Sequence, residues 1–374
     1  MKIEPFKMER MQSTWENVVT YNLSESGVHP LSLQELINQE EFEEILGLGL
    51  GYCQTNGTPE LREAISHLYP GSNAEQILVT NGSAEANFVL IWSNIEPGDE
   101  VIFMLPNYMQ MWGLVRGFGA AVKPFYLSEN LNWAPDLEEL KKLATKKTKM
   151  IIITNPNNPT GAVLSEEAMQ TIINIAEEAD AWILADEVYQ GAELDNEPTQ
   201  SFYGKYKKVM VVNGLSKAYG LPGLRVGWIV ASEDFIKKTW SYHDYTTIAP
   251  AILSDRLAQI ALSPRNREKI LKRTKSILKT NFLLLDSWLN KHDDIFKFIP
   301  PQAGAIAFVR YNLKINSTRL VNKLIHEKSL LIVPGDHFEM DHYLRIGFGE
   351  KEKKLLDALE LIRETLLEIK KNEG

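Results

Sequence analysis

The 374-residue chain carries 44% hydrophobic and 24% charged residues, the balance of a globular protein able to bury a large core. Its formal net charge of −9 excludes the excess of lysine and arginine that a nucleic-acid surface needs. No uninterrupted apolar run reaches the about 18 residues of a membrane span, and "MKIEPFKMERMQSTWENVV" lacks the apolar centre of a secretory signal. The single cysteine, Cys53, rules out an internal disulfide and reads as a small half-buried hydrophobe. A cytoplasmic protein is expected, with two domains of ordinary size or one large domain and a satellite.

Along the chain, "GLGLG" at 47–51 resembles a dinucleotide loop only superficially. It lacks the G-x-G-x-x-G spacing and follows an acidic helical stretch rather than a buried strand, so it reads as a plain loop. From residue 76 to 232, short apolar runs alternate with helical stretches: "QILVT", "EVIFML", "AVKPFYL", "MIIIT", "AWILA", "KVMVVN" and "RVGWIVA". Such runs without polar alternation are what strands buried on both faces look like. Between two of them, Ser165 is placed to cap a helix whose Met169, Ile172, Ile173 and Ala176 fall on one stripe. The expectation is a mostly parallel, doubly wound α/β domain of about seven strands. Beyond residue 233 come a long charged helix, then strands near "KFIP", "AIAFVRY", "LLIVPG" and "YLRIGFG", and a closing amphipathic helix. That order predicts a smaller α+β domain.

The chemistry gathers at the ends of the predicted strands, where open α/β sheets keep their ligands. Lys217 follows "VMVVN", and Arg225 follows the glycine-studded turn after it. A planar guanidinium suits a phosphate, and a lysine amine beside a bound phosphate points to pyridoxal phosphate chemistry. That cofactor needs a carboxylate against its ring nitrogen; "AWILADEVYQG" offers Asp186, with Tyr189 close behind. Taken alone, Asp186 reads more readily as a solvated helix start; with Lys217 after the next buried strand, the functional reading overtakes it. "TNPNNPTG" at 154–161 is ordinary turn chemistry that also fixes Asn158 in a rigid loop. In "NGSAEANFVL", Ser83 and Ala84 open a helix whose free amides suit a phosphate. Tyr108, after the next strand, supplies a ring that could stack on a pyridine or simply pack in the core.

Together, "NPNNPTG", "ADEVY", "SKAYGLPGLRVGW" and "YLRIGFG" occur in the order and rough spacing of the fold-type-I pyridoxal-phosphate enzymes. Over residues 23–349 the chain resembles their class I/II aminotransferase superfamily. The resemblance implies a large cofactor-binding domain over 48–285 and a small α+β domain built from 1–47 and 286–374. It implies that Lys217 is the Schiff-base lysine and catalytic acid/base, and that Arg225 binds phosphate with Ser83, Ala84 and Ser216. Asp186 takes the ring nitrogen, Tyr189 and Asn158 the phenolic oxygen, and Tyr108 the ring face. Tyr52 is placed to reach the phosphate of a neighbouring subunit, which implies a homodimer with shared sites. Arg345 is matched to the substrate α-carboxylate, with Asn158 and Gly27 beside it. The implied reaction is amino transfer between an amino acid and a 2-oxo acid, with no metal.

Two departures bear on the substrate. "LSESGVHPL" at 23–31 replaces the family's usual segment over the substrate and faintly resembles that of capreomycidine synthases, which close a ring. Gly214 stands where many members have serine. A β-lyase, cyclase or decarboxylase on the same fold therefore stays open, as does, more remotely, a non-catalytic pyridoxal-binding module. No arginine occurs between Val226 and Asp255, where aspartate aminotransferases keep the cation for a distal carboxylate. "SYHDYTTIAP" lies there instead, and His243 with its aromatic neighbours is expected to suit a neutral or cationic side chain. Asp244 and Glu25 are the candidate counter-ions, and aspartate is not the expected donor.

Overall fold

Every apolar run read as a strand between residues 76 and 231 joins one eight-stranded sheet. The computed structural model describes residues 2–195 and 197–373. Across the sheet the order is Ile77–Thr80, Gly227–Val230, Val209–Gly214, Trp182–Asp186, Thr148–Thr154, Glu100–Leu105, Ala121–Ser128 and Ala134–Pro135. The last strand was not anticipated. Its two residues pair with Leu127 and Ser128, too short for any periodicity, and its proline is tolerable only at such an edge.

Alternation of the pleat explains why these runs are apolar throughout. Ile102 and Met104 face one hydrophobic core while Val101, Phe103 and Leu105 face the other; Ile151 and Ile153 likewise oppose Met150 and Ile152. Each fully buried side chain of this size contributes about 1.5–3 kcal/mol of transfer free energy. The helix Glu166–Ala179 starts as its sequence implies, with Ser165 Oγ accepting from the Ala168 amide at 3.1 Å. Its stripe of Met169, Ile172, Ile173 and Ala176 is buried.

A second sheet of four antiparallel strands runs Phe296–Phe298, Ile306–Tyr311, Tyr343–Gly347 and Val333–Pro334. Tyr21–Asn22 pairs in parallel with Leu330–Leu331, tying the N-terminal segment to the C-terminal part of the chain. The helix Pro264–Asn290 and the closing helix Glu352–Glu373 complete it, the latter burying Leu355, Ala358, Leu359, Ile362 and Leu366. No helix among the described residues is long and apolar enough to cross a membrane.

Strand direction gathers the chemistry. The strands ending at Leu105, Thr154, Asp186 and Gly214 run parallel, so the loops after them emerge along one edge. Gly227–Val230 runs antiparallel to both its neighbours, pairing Gly227 with Thr80 and with Gly214. Its beginning therefore lies at that same edge, which brings Arg225 to Ser83 and Lys217.

Candidate active site

A cavity of about 460 Å³ opens at this edge. It is lined by Lys217, Asp186, Tyr189, Ser83, Ala84, Tyr108, Asn158, Ser216, Arg225 and Arg345. Of the site residues expected from sequence, Gly27 and Tyr52 do not line it. Gly27 packs against the backbone behind Lys217, where an added Cβ would stand 3.3 Å from the Lys217 Cα and carbonyl. Tyr52 is 90% exposed, well out in solvent.

Asp186 is the last residue of its strand and 3% exposed, so the solvated helix start does not apply. Its carboxylate accepts from Asn87 Nδ2 and from the Val188 amide, each at 3.3 Å. Burial pushes its pKa up to about 6, against the opposing pull of these donors and of Lys217. A carboxylate held this way gains most from a protonated partner.

The helix Ser83–Asn94 begins with Gly82 at φ 84° and no side-chain cap, which leaves its first amides open. A Cβ on Gly82 would come within 2.5 Å of Arg225 Nη2, so glycine here is what lets the guanidinium lie along the loop. Arg225 itself is not in the strand, as "RVGWIVA" implied. It closes the short helix Pro222–Leu224 in the left-handed region at φ 52° and donates to the Pro222 carbonyl at 3.1 Å. Gly214 has a local reason too, since a Cβ would sit 2.8 Å from the Val226 carbonyl oxygen.

Lys217 Nζ lies 3.7 Å from Glu25 Oε2. Tyr189 donates to Ser26 Oγ at 2.8 Å. Arg345 is 1% exposed; its Nη1 donates to Asn158 Oδ1 at 2.9 Å and its Nη2 to the Ser24 carbonyl. Among the described residues its Nε has no hydrogen-bond partner, and burial holds its pKa below the ordinary value.

Sequence reading missed one wall. The helix Lys7–Trp15 places Phe6, Met8, Glu9, Gln12 and Glu16 in the cavity lining. Phe6 meets the Tyr108 ring edge-on at 5.1 Å, and the Tyr108 hydroxyl donates to Glu9 Oε1 at 3.0 Å. Met8, Met11 and Trp15 stand at helical spacing, but the helix has no side-chain cap, and spacing does not say what a helix covers. Asn87 and Ser26 were missed as well; a polar residue inside the apolar "SAEANFVLIWSN" was the available signal for Asn87.

His243 is a correction. It is fully buried with Nε2 3.3 Å from Glu85 Oε2, and neither it nor Asp244 lines the cavity. Their helix, Glu233–His243, packs on the outside of the sheet, where Tyr242 and Tyr245 meet Trp92 edge-on. Of the proposed counter-ions only Glu25 faces the cavity.

Residues 24–362 match the family described as aminotransferase class I and II. The chain belongs to that family. It is 35% identical to a crystal structure of a PLP-dependent aminotransferase from Streptococcus suis, covering 99% of each chain with a TM-score of 0.93. It is 27% identical to a capreomycidine synthase of Streptomyces vinaceus over 92% of this chain and 89% of that one. It is also 27% identical to an aspartate aminotransferase of Thermotoga maritima over 84% and 83% respectively. The cofactor of this aminotransferase family is pyridoxal phosphate, and the cavity suits it. The uncapped helix amides and Arg225 would suit its phosphate, and a buried carboxylate of raised pKa would suit its protonated ring nitrogen.

Proposed function

We propose that the protein transfers an amino group between an amino acid and a 2-oxo acid, using pyridoxal phosphate carried on Lys217. The observation behind this reading is that the Lys217 amine, the buried Asp186 and two arginines line one cavity. When bound, the cofactor supplies an aldehyde that condenses with amines and a ring that takes up the electron pair left on Cα.

In this reading Arg225 and the Ser83 and Ala84 amides hold the phosphate, with Ser216 alongside. Asp186 keeps the ring nitrogen protonated through its negative charge. Tyr189 and Asn158 hydrogen-bond the phenolic oxygen, and Tyr108 lies against the ring. Arg345 orients the amino acid through its carboxylate, for which the unpartnered Nε is available. Lys217 Nζ takes the Cα proton as general base and returns it as general acid.

Tyr52 supports a homodimer with shared sites. It lies outside its own cavity, and Leu46 and Leu50 beside it are 71% and 77% exposed, an apolar stretch suited to burial by a second copy. Sedimentation should give twice the 42.5 kDa chain mass; a fully active monomer would remove this part of the reading.

Cyclisation is the second reading, favoured by the likeness to a capreomycidine synthase. Incubating holoenzyme with an amino-acid panel and a 2-oxo acid, then following both products, separates the two. Appearance of the aminated acceptor supports amino transfer. A ring-closed or fragmented product with no aminated acceptor would replace it.

A further inference from the structure

Three carboxylates of the cavity have no role in holding the cofactor or the substrate carboxylate. Glu9 and Glu16 enter from the N-terminal helix and Glu25 from the segment after it. Glu9 and Glu16 lie before residue 24, where the family match begins. Glu9 accepts from Tyr108 and Glu25 faces Lys217, but among the described residues the Glu16 carboxylate has no hydrogen-bond or ion-pair partner. Burial raises its pKa, and the charges of Glu25 and Glu9 raise it further against the opposing pull of Lys217.

Charge counting then points to an occupant. The cations lining the cavity are Lys217, Arg225 and Arg345. A cofactor phosphate brings about two negative charges near neutral pH, which more than offset Arg225. Arg345, almost fully buried with Nε unpartnered, marks where a carboxylate docks and is neutralised by it. Lys217 is the amine the cofactor engages. Among the described residues no further cation lines the cavity to balance the three glutamates, and no such cluster is arranged to hold a metal ion.

Resting on the amino-acid reading above, we infer that the substrate is an α-amino acid with a cationic side chain, an amine or guanidinium received by Glu9, Glu16 and Glu25. Arg345 fixes one end of such a molecule, and the N-terminal helix supplies the complementary charge for the other. A neutral side chain of equal length would leave the carboxylates repelling one another, and a carboxylate side chain would add to that repulsion.

The test is calorimetric binding to the holoenzyme of analogues whose Cα carries a methyl group instead of hydrogen, so that binding is read without turnover. α-Methylornithine and α-methylarginine are compared with α-methylnorleucine, a neutral isostere of the former, and α-methylaspartate. At least one cationic analogue should bind tenfold or more tighter than both others. Glu16→Gln and, separately, Glu25→Gln should each cut that preference by threefold or more, through weaker binding of the cationic analogue. Equal or tighter binding of the neutral or acidic analogue overturns the inference but leaves amino-acid chemistry standing. Binding of none of the four overturns both. A preference untouched by either variant would also overturn it, because the carboxylates would not be its source.

Discussion

Asp186 should make the cofactor-free protein less stable than it could be. In the folded chain its pKa is moved from 3.8 to about 6, chiefly by burial. At 1.36 kcal/mol per unit, this is a cost of about 3 kcal/mol for carrying the charge when folded. A group whose folded pKa is raised by burial imposes that cost fully above about pH 6, and loses it as pH falls toward its unfolded value. Asp186→Asn removes the charge while its remaining oxygen can still accept from Asn87 or the Val188 amide. The cofactor-free variant should therefore melt a few degrees above wild type at pH 8, with the gap closing by pH 4 to 5. Glu187, buried beside it and pushed up to about 8, is present in both proteins and largely cancels. With saturating pyridoxal phosphate the order should reverse, because wild type gains binding energy that the variant cannot. Thermal melts of both forms at several pH values decide it. A cofactor-free variant less stable than wild type at pH 8, or a gap indifferent to pH, would refute the reasoning.

Gly82→Ala should loosen the phosphate end, since its φ of 84° is strained for alanine and its Cβ would press on Arg225. Cofactor affinity measured by fluorescence titration should fall tenfold or more, in line with about 1.5–3 kcal/mol for a charged hydrogen bond; near wild-type affinity would count against Arg225 as a phosphate ligand. Arg345→Lys gives up the planar fork that grips a carboxylate. It should lower kcat/KM by a similar factor, ten- to a hundredfold, for every amino donor alike; a loss confined to one donor would show that the residue reads the side chain instead.

The sheet was legible because strands buried on both faces need apolar residues at every position, and Ile102, Phe103 and Ile152 announce that without ambiguity. Most of the candidate cofactor residues were legible for a related reason: Ser83, Ala84, Tyr108, Asn158, Ser216 and Lys217 follow strand ends and Asp186 closes one, so the order of strands orders the cavity lining. Arg225 is more instructive. Its place beside Ser83 depends on one strand running backwards, which no local pattern records. The N-terminal helix escaped because its nine residues Lys7–Trp15 bury only Met8 and Gln12, and what it covers is set by the Tyr21–Asn22 pairing with Leu330–Leu331 far along the chain. His243 misled for the opposite reason. Its neighbourhood in sequence suggested the cavity, whereas the helix carrying it turns the ring onto Glu85. Side-chain direction on a helix is fixed by its docking, and docking is long-range.

The central claim is that Lys217 carries the cofactor. Borohydride reduction of the purified holoenzyme, followed by proteolysis and mass spectrometry, reads this directly. The pyridoxyl mass should appear on the peptide spanning "SKAYGLPGLR", at Lys217, and the visible absorbance of the cofactor should be lost in Lys217→Ala. Label on any other lysine, or a purified protein that takes up no pyridoxal phosphate at all, would contradict it.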